Sequence, residues 1–172
     1  ASPDTAVHIL LDSSGSMNDS GLMFANAVCY AVGKALQGIS GVNLGITAFP
    51  GANTPKRGAT VAPVLRHGEK LTTRFPEIAY GMTPMAESLW WVMQQMCLLR
   101  ENRKIILIIT DGEPDSIPTA QEAFKQAQKK GFECYGLGIM CSNIATCCLM
   151  PAASLRRFHS LLRHCSDCSK GP

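Results

Sequence analysis

Charged and aromatic residues are scarce in this sequence, and none of its hydrophobic runs is long. Charged residues make up 17% of the chain and aromatic residues 6%, and the formal net charge is only +3. With 46% apolar residues, this composition excludes a disordered polar tail. The longest apolar runs fall well short of the roughly 20 residues that a transmembrane helix needs, so we expect no membrane span.

Basic residues cluster between positions 56 and 74, but few aromatic residues lie among them. Surfaces that bind nucleic acid combine dense positive charge with stacking side chains. We therefore expect no nucleic-acid partner. The residues of this cluster are Lys56, Arg57, Arg66, His67, Lys70 and Arg74.

The length of the chain favours a single domain over residues 1–172. A chain of 172 residues buries about 70% of the surface that its unfolded form exposes, which allows a core without disulfides or a structural metal. Because the chain opens at Ala1 without a Met or an apolar leader, we expect it to be a processed or excised piece.

Buried strands and amphipathic helices alternate along the chain. This order predicts an α/β fold that is doubly wound, with a mostly parallel central sheet and helices on both faces. Since no helix separates the second strand from the third, the third should return as an antiparallel edge strand. The predicted strands are 6–11, 42–49, 60–65, 104–110 and 132–139, and the predicted helices are 21–37, 85–99 and 118–130.

The most informative motif is Asp12-Ser13-Ser14-Gly15-Ser16, which directly follows the first predicted strand. Asp12, Ser14 and Ser16 place a carboxylate and two hydroxyls at alternate positions, and such hard oxygen donors suit a hard divalent cation. The same motif alone is also typical of a turn whose side chains bind their own backbone.

Two other segments offer further oxygen ligands, which a magnesium ion with about six ligands would need. Asp111 follows the buried strand 104–110. Thr83 precedes Pro84, and the pair predicts a helix start with Thr83 at the N-cap and Pro84 at the first helical position. Taken singly, each segment is an ordinary strand exit or helix start.

Together, Asp12-x-Ser14-x-Ser16, Thr83 and Asp111 resemble the metal-ion-dependent adhesion site of a von Willebrand factor A domain. The resemblance covers a core of about residues 6–140. It implies coordination by Ser14, Ser16 and, in one state, Thr83, with Asp12 and Asp111 acting directly or through water and a ligand carboxylate completing the shell. It also implies that the strands 6–11 and 104–110 lie side by side where the strand order reverses.

The charge of this ligand set indicates binding rather than catalysis. Three of the five ligands are neutral hydroxyls, so a bound Mg²⁺, with Mn²⁺ or Ca²⁺ as alternatives, keeps its attraction for an external anion. We therefore expect a divalent-metal-dependent protein-binding module, not an enzyme, whose metal recruits an acidic residue of a partner.

The surroundings of the motif resemble a narrower group within the family. The segments 81–87 and 112–115 and the pair Trp90-Trp91 are similar to intracellular bacterial A domains of cobaltochelatase subunits and nitric-oxide-reductase activation proteins. That resemblance implies a MoxR-type AAA+ ATPase partner, a chelatase-like or remodelling complex and a cytoplasmic location. Glu113 and Asp115 are interpreted as solvated loop carboxylates. Adjacent tryptophans cannot both face the core, so one should reach the surface.

Two other function classes share the same metal ligands. A metal-dependent phosphohydrolase would use Asp12 and Asp111 around magnesium, but Ser14 stands where a second carboxylate is wanted and no base is evident. A secreted adhesion domain would use the same site, and its cysteines would be paired.

The eight cysteines fall into two groups. Cys29, Cys97 and Cys134 lie in predicted element interiors, where free thiols indicate a reducing compartment. The stretch 141–172 is atypically rich in Cys, Ser and Arg. It is open to three interpretations: a zinc site with a Cys-x-x-Cys pair, a disulfide cluster or an out-of-frame product. The cysteines of this tail are Cys141, Cys147, Cys148, Cys165 and Cys168.

Overall fold

The computed structural model describes residues 4–51, 53–54, 57–58, 60–112, 114–139 and 150–151. Glu113 and the five cysteines of the tail lie outside these residues. The helices are α1 (Asn18–Gln37), α2 (Met85–Cys97) and α3 (Ile117–Lys129), and a short 3-10 turn spans Gly15–Met17. The strands are β1 (Thr5–Asp12), β2 (Val42–Phe49), β3 (Asn53–Thr54), β4 (Arg57–Gly58), β5 (Ala62–Leu65), β6 (Arg103–Thr110), β7 (Phe132–Gly138) and β8 (Met150–Pro151).

The central sheet has the strand order β5-β2-β1-β6-β7-β8. Strands β2, β1, β6 and β7 are parallel, and β5 pairs antiparallel with β2 at one edge. The predicted fold class is therefore confirmed. At the opposite edge, the two-residue β8 pairs antiparallel with β7, in a segment for which no strand was predicted. Strands β3 and β4 pair with each other outside this sheet.

Both faces of the sheet are covered by helices. Along β1, Ala6 and Leu10 pack into the core on the side of α2 and α3. The alternate residues Val7, Ile9 and Leu11 pack into the second core, on the side of α1. Burial on both faces explains why the parallel strands appear in the sequence as continuous apolar runs.

The strand order reverses between β1 and β6. The chain passes from β1 to β2 in one direction and later from β6 to β7 in the other, so β1 and β6 are neighbours at the switch point. The loops that follow these two strands diverge and leave a crevice at their carboxyl ends. This confirms the predicted neighbourhood of the two strands and brings Asp12 and Asp111 to the same edge. Within the described ranges, no helix is both long and apolar enough to cross a bilayer.

Two predictions about local structure were wrong. Thr83 is not the N-cap of α2: Pro84 takes that position, and no side chain caps the helix start. Cys97 is exposed, because the buried face of α2 runs through Met93 and Met96 and Cys97 lies about 100° further round the helix. The other two thiols, of Cys29 and Cys134, are buried as predicted.

The prediction for the tryptophan pair is confirmed. Trp90 is 36% exposed, whereas Trp91 packs against the core on the side of α2 and α3. Adjacent positions of a helix differ by about 100°, so only one of the two rings can face the sheet.

Candidate metal centre

Asp12 is the last residue of β1 and is completely buried. Its Oδ1 accepts the Ser14 N–H at 2.8 Å, as in the turn that the motif alone predicts. Its Oδ2 accepts the hydroxyl of Thr110, the last residue of β6, at 2.5 Å. Asp12 therefore links the loop after β1 to the neighbouring strand and does more than close its own turn.

The three serines of the motif alternate in direction. Ser13 turns to β2, where its N–H and its hydroxyl donate to the Phe49 carbonyl at 2.7 and 3.1 Å. Ser16 donates its hydroxyl to Asp111 Oδ1 at 3.0 Å, and its oxygen lies 3.1 Å from the Ser14 oxygen. Because the Ser16 proton is directed at Asp111, Ser14 is the donor in the pair of serines. The oxygens of Ser14, Ser16 and Asp111 form one continuous chain.

Thr83 is 8% exposed and is held through its backbone. Its N–H donates to Asp115 Oδ1 at 2.7 Å, and its carbonyl accepts the Asp115 N–H at 3.1 Å. The Thr83 hydroxyl makes no hydrogen bond with the other four predicted ligands. Four of the five predicted residues are thus directly connected, and Thr83 is placed beside them by its loop.

Backbone hydrogen bonds join the loop that carries Thr83 to the motif. Gly15 donates to the Gly81 carbonyl at 3.1 Å, and Tyr80 donates to the Ser13 carbonyl at 3.1 Å. A side chain at position 15 would place its Cβ 3.3 Å from the Gly81 carbonyl oxygen, and Gly81 itself has a φ of +75°. The positive φ favours glycine at position 81, and a side chain at position 15 would have to push the Gly81 carbonyl back by a few tenths of an ångström. The segments after β1, before α2 and after β6 therefore form one connected surface.

Burial makes the two carboxylates of this surface costly to ionise. The pKa of Asp12 is raised mainly by desolvation, and the nearby charge of Asp111 raises it further, whereas the bonds from Ser14 and Thr110 lower it. The pKa of Asp111 is also raised by desolvation, against the hydrogen bond from Ser16. A cation placed between the two carboxylates would favour their charged forms.

The donor set fits a hard divalent cation. Two carboxylates and neighbouring hydroxyls are the oxygen donors that magnesium, manganese and calcium take. Over the described ranges, no group of three or more His, Cys, Asp or Glu could hold a metal ion. The hydroxyls of Ser14 and Ser16 are the additional oxygen donors that this loop offers beside the two carboxylates.

A family model of the von Willebrand factor type A domain matches residues 6–149. The chain belongs to this family. Comparison of the sequence with curated proteins finds no significant match. Several solved structures nevertheless share the fold at low sequence identity.

Three solved structures illustrate the similarity. The manganese-loaded TRAP protein of Plasmodium vivax has a TM-score of 0.64 at 18% identity, covering 79% of this chain and 57% of that one. The open form of the pilus adhesin SpaC from Lactobacillus rhamnosus GG has a TM-score of 0.67 at 15% identity, covering 94% and 27%. BatB of Bacteroides thetaiotaomicron has a TM-score of 0.55 at 20% identity, covering 78% and 66%. At these identities the similarity concerns the fold, and the chain spans less than two thirds of each protein.

Two residues that support the site were not recognised in the sequence. Thr110 holds Asp12, and Asp115, which was interpreted as a solvated loop carboxylate, is exposed but also binds the Thr83 backbone. Neither role could be recognised without the register of β1 against β6 and the contact between the two loops. The position of Thr110 immediately before Asp111 was the one available signal.

Proposed function

We propose that Asp12, Ser14, Ser16, Thr83 and Asp111 form a metal-ion-dependent adhesion site and that the chain is a metal-dependent protein-binding module. The favoured ion is Mg²⁺, with Mn²⁺ or Ca²⁺ as alternatives, and its partner ligand is an acidic residue of another protein. The observation that carries this proposal is the chain of oxygens from Ser14 through Ser16 to Asp111, beside the buried Asp12. A bound dication would supply a positive charge at the protein surface for a carboxylate of the partner.

The surroundings of the site favour binding over catalysis. In the part of the chain that the structure describes, the side chains of Asp12 and Asp111 accept hydrogen bonds from hydroxyls and an amide, and no Lys or His side chain binds either of them. A phosphohydrolase would need a general base within hydrogen-bond reach of the substrate. Because the described residues place no Lys or His against these carboxylates, we favour the binding module over the phosphohydrolase.

Exposed apolar side chains near the proposed site suit a protein partner. The loop that leads to Thr83 exposes 68% of Ile78 and 69% of Met82. Large exposed apolar residues beside a polar site are typical of protein-interaction surfaces. The partner would present its carboxylate to the metal and apolar atoms to this loop.

The wider context that we propose is a cytoplasmic, chelatase-like or remodelling complex with a MoxR-type AAA+ ATPase. Support comes from the similarity of the segments 81–87 and 112–115 to bacterial intracellular A domains, and from the buried free thiols of Cys29 and Cys134. Secreted adhesion is the alternative. Thiol titration of the native protein separates the two: free thiols at all eight cysteines favour the cytoplasm, and paired cysteines contradict it.

A thermal-shift experiment with matched serine variants tests the metal site. Mg²⁺ should raise the melting temperature of the wild type, and Asp12→Ala and Ser14→Ala should remove most of that rise. Ser13→Ala is the control, because the Ser13 hydroxyl binds the Phe49 carbonyl on β2 and should leave the Mg²⁺ effect intact. An equal rise in the wild type and in Asp12→Ala would refute the proposal.

A further inference from the structure

A second polar cluster lies inside the fold, four residues before Asp12 on β1. His8 is 3% exposed, and its Nδ1 lies 2.9 Å from Nε2 of His67, which follows β5. The other nitrogen of His8 lies 2.8 Å from the Thr47 hydroxyl oxygen on β2. His67 Nδ1 lies 3.2 Å from the Asn43 carbonyl oxygen. We call the two imidazoles the histidine clasp.

The hydrogen bonds of the clasp have one consistent direction. A carbonyl only accepts, so His67 must carry its proton on Nδ1 and accept at Nε2. His8 must then donate from Nδ1 and accept the Thr47 hydroxyl at Nε2. Both rings are neutral in this arrangement, and every ring nitrogen is satisfied.

The clasp holds the turn 66–69 against the sheet. Asn43 Oδ1 accepts the Gly68 N–H at 3.0 Å, and Asn43 Nδ2 donates to Glu101 at 2.8 Å. Close packing makes the contact specific, because a Cβ at Gly45 would lie 2.6 Å from the ring of His67 and 2.7 Å from that of His8. The strand beneath the two rings therefore has to carry a glycine.

We propose that the histidine clasp is an acid-sensitive device that holds the turn 66–69 on the sheet and releases it when both rings are protonated. When each ring has taken up a proton, two N–H groups face each other at 2.9 Å, since each imidazolium donates from both nitrogens. The contact that fixes the turn would become repulsive. The metal site is not involved in this step.

The charges around the clasp agree with neutral rings at neutral pH. Burial, with the neighbouring His67, lowers the pKa of His8 to about 3, and burial lowers the pKa of His67 despite the Asn43 carbonyl and the charge of Glu101. Among the described residues, one oxygen of Glu101 is buried without a hydrogen-bond partner. The remaining charged groups around the clasp are Lys104, on the same face of β6, and the exposed Arg66 and Glu69 of the turn.

The direction of the pH effect follows from these shifts. In the unfolded chain both imidazoles take up protons near pH 6.5, whereas in the folded chain they resist protonation. The contribution of the clasp to stability is therefore constant above that pH and falls progressively as the pH drops below it. The turn should open within this acid range.

Imidazole titration by NMR tests the clasp directly. The parent for this test is a variant that carries His159→Gln and His164→Gln. His8 and His67 are then its only histidines. We expect both rings to hold their proton on Nδ1 near neutral pH. On acidification, the protonation of the second ring and the loss of amide protection at Gly68 should share one midpoint below 6.5. The amide of Ile106 on β6 should stay protected.

Three results of this titration would overturn the proposal. The first is that both imidazoles titrate with the ordinary pKa of histidine, about 6.5. The second is that the Gly68 amide stays protected once both rings are charged. The third is that Gly68 and Ile106 lose amide protection at the same pH. The last result would mean global unfolding and not a local release.

A variant with one titrating ring fewer gives an independent test. His67→Gln keeps a polar side chain but removes one of the two titrating imidazoles, so its melting temperature should fall less than that of the parent between about pH 7.5 and about pH 5. Lys70→Gln, which removes an exposed charge from the same segment, should retain the full fall. An equal fall in His67→Gln and the parent would contradict the clasp. If His67→Gln does not fold, the titration of the parent decides.

Discussion

At the scale of single residues, the A domain places a carboxylate where it lowers stability. Asp12 is fully buried, and its pKa is raised chiefly because burial disfavours the charged form. A raised pKa means that the folded state binds the proton more tightly than the unfolded state does. The stability contributed by this group is therefore present in acid and is lost as the pH rises through the folded pKa. At neutral pH without metal, an ionised Asp12 opposes folding.

This argument predicts opposite effects for two substitutions of Asp12 in metal-free protein. Asp12→Asn removes the charge and keeps an acceptor for the Ser14 N–H, and the Thr110 hydroxyl can rotate to accept from the amide. We expect it to melt at or above the wild-type temperature. Asp12→Ala leaves buried donors without acceptors and should cost about 1–3 kcal/mol of the free energy of unfolding.

Denaturant unfolding in EDTA and in Mg²⁺ checks these expectations. Both variants should lose the Mg²⁺-dependent gain in stability. If Asp12→Asn were as unstable as Asp12→Ala without metal, the burial of charge would not be the reason that the metal-free site is costly.

At the scale of elements, Asp115 holds the loop before α2, which carries Thr83, in place. Its carboxylate accepts the Thr83 N–H at 2.7 Å, and it approaches from the loop after β6. Groups that hold a ligand-bearing segment in place commonly change metal affinity without touching the metal. The order of the loop before α2 therefore depends on the loop before α3.

We predict that Asp115→Ala weakens Mg²⁺ binding about tenfold or more with little loss of thermal stability. Ser116→Ala is the matched control. Ser116 caps α3 by accepting the Thr119 N–H, so its loss should cost about 1 kcal/mol of stability and leave metal affinity unchanged. Isothermal titration calorimetry on both variants measures the difference, and equal affinities in Asp115→Ala and the wild type would exclude a role for Asp115 in positioning Thr83.

The strands and helices also show how much of the structure could be predicted from the sequence. Continuous apolar runs placed the parallel strands correctly, and β2 was predicted with both of its ends, because burial on both faces leaves a strong signal. The antiparallel β5 followed from the absence of a helix before it. The N-cap of α2 could not be predicted, because Thr83 is held by a hydrogen bond to Asp115, which lies in a distant loop.

Most contacts between residues far apart in the chain could not be predicted from the sequence. Four of the five proposed ligands could be foreseen as neighbours because the carboxyl ends of adjacent parallel strands meet at one edge. The pairing of His8 with His67 depends on Gly45 and on the path of the chain after β5. No local sequence pattern predicts this pairing. Long-range polar pairs need the three-dimensional register before they can be recognised.

At the scale of the whole molecule, the A domain separates its two polar clusters. The proposed metal site lies at the carboxyl end of β1, in the crevice between the loops that follow β1 and β6. The histidine clasp lies further back on the same strand and is enclosed by the sheet and the turn 66–69. The domain can therefore present a partner-binding face at one edge while its stability responds to acid at another place.

The most direct test of the metal site is to locate the ion. A crystal grown with Mn²⁺ and measured for anomalous scattering should show a strong peak within direct coordination distance, about 2.0–2.6 Å, of the Ser14 and Ser16 hydroxyl oxygens. Asp12 and Asp111 should lie close enough to bind the ion directly or through water. A map with no peak between these residues, or with its only peak elsewhere on the protein, would contradict the metal site.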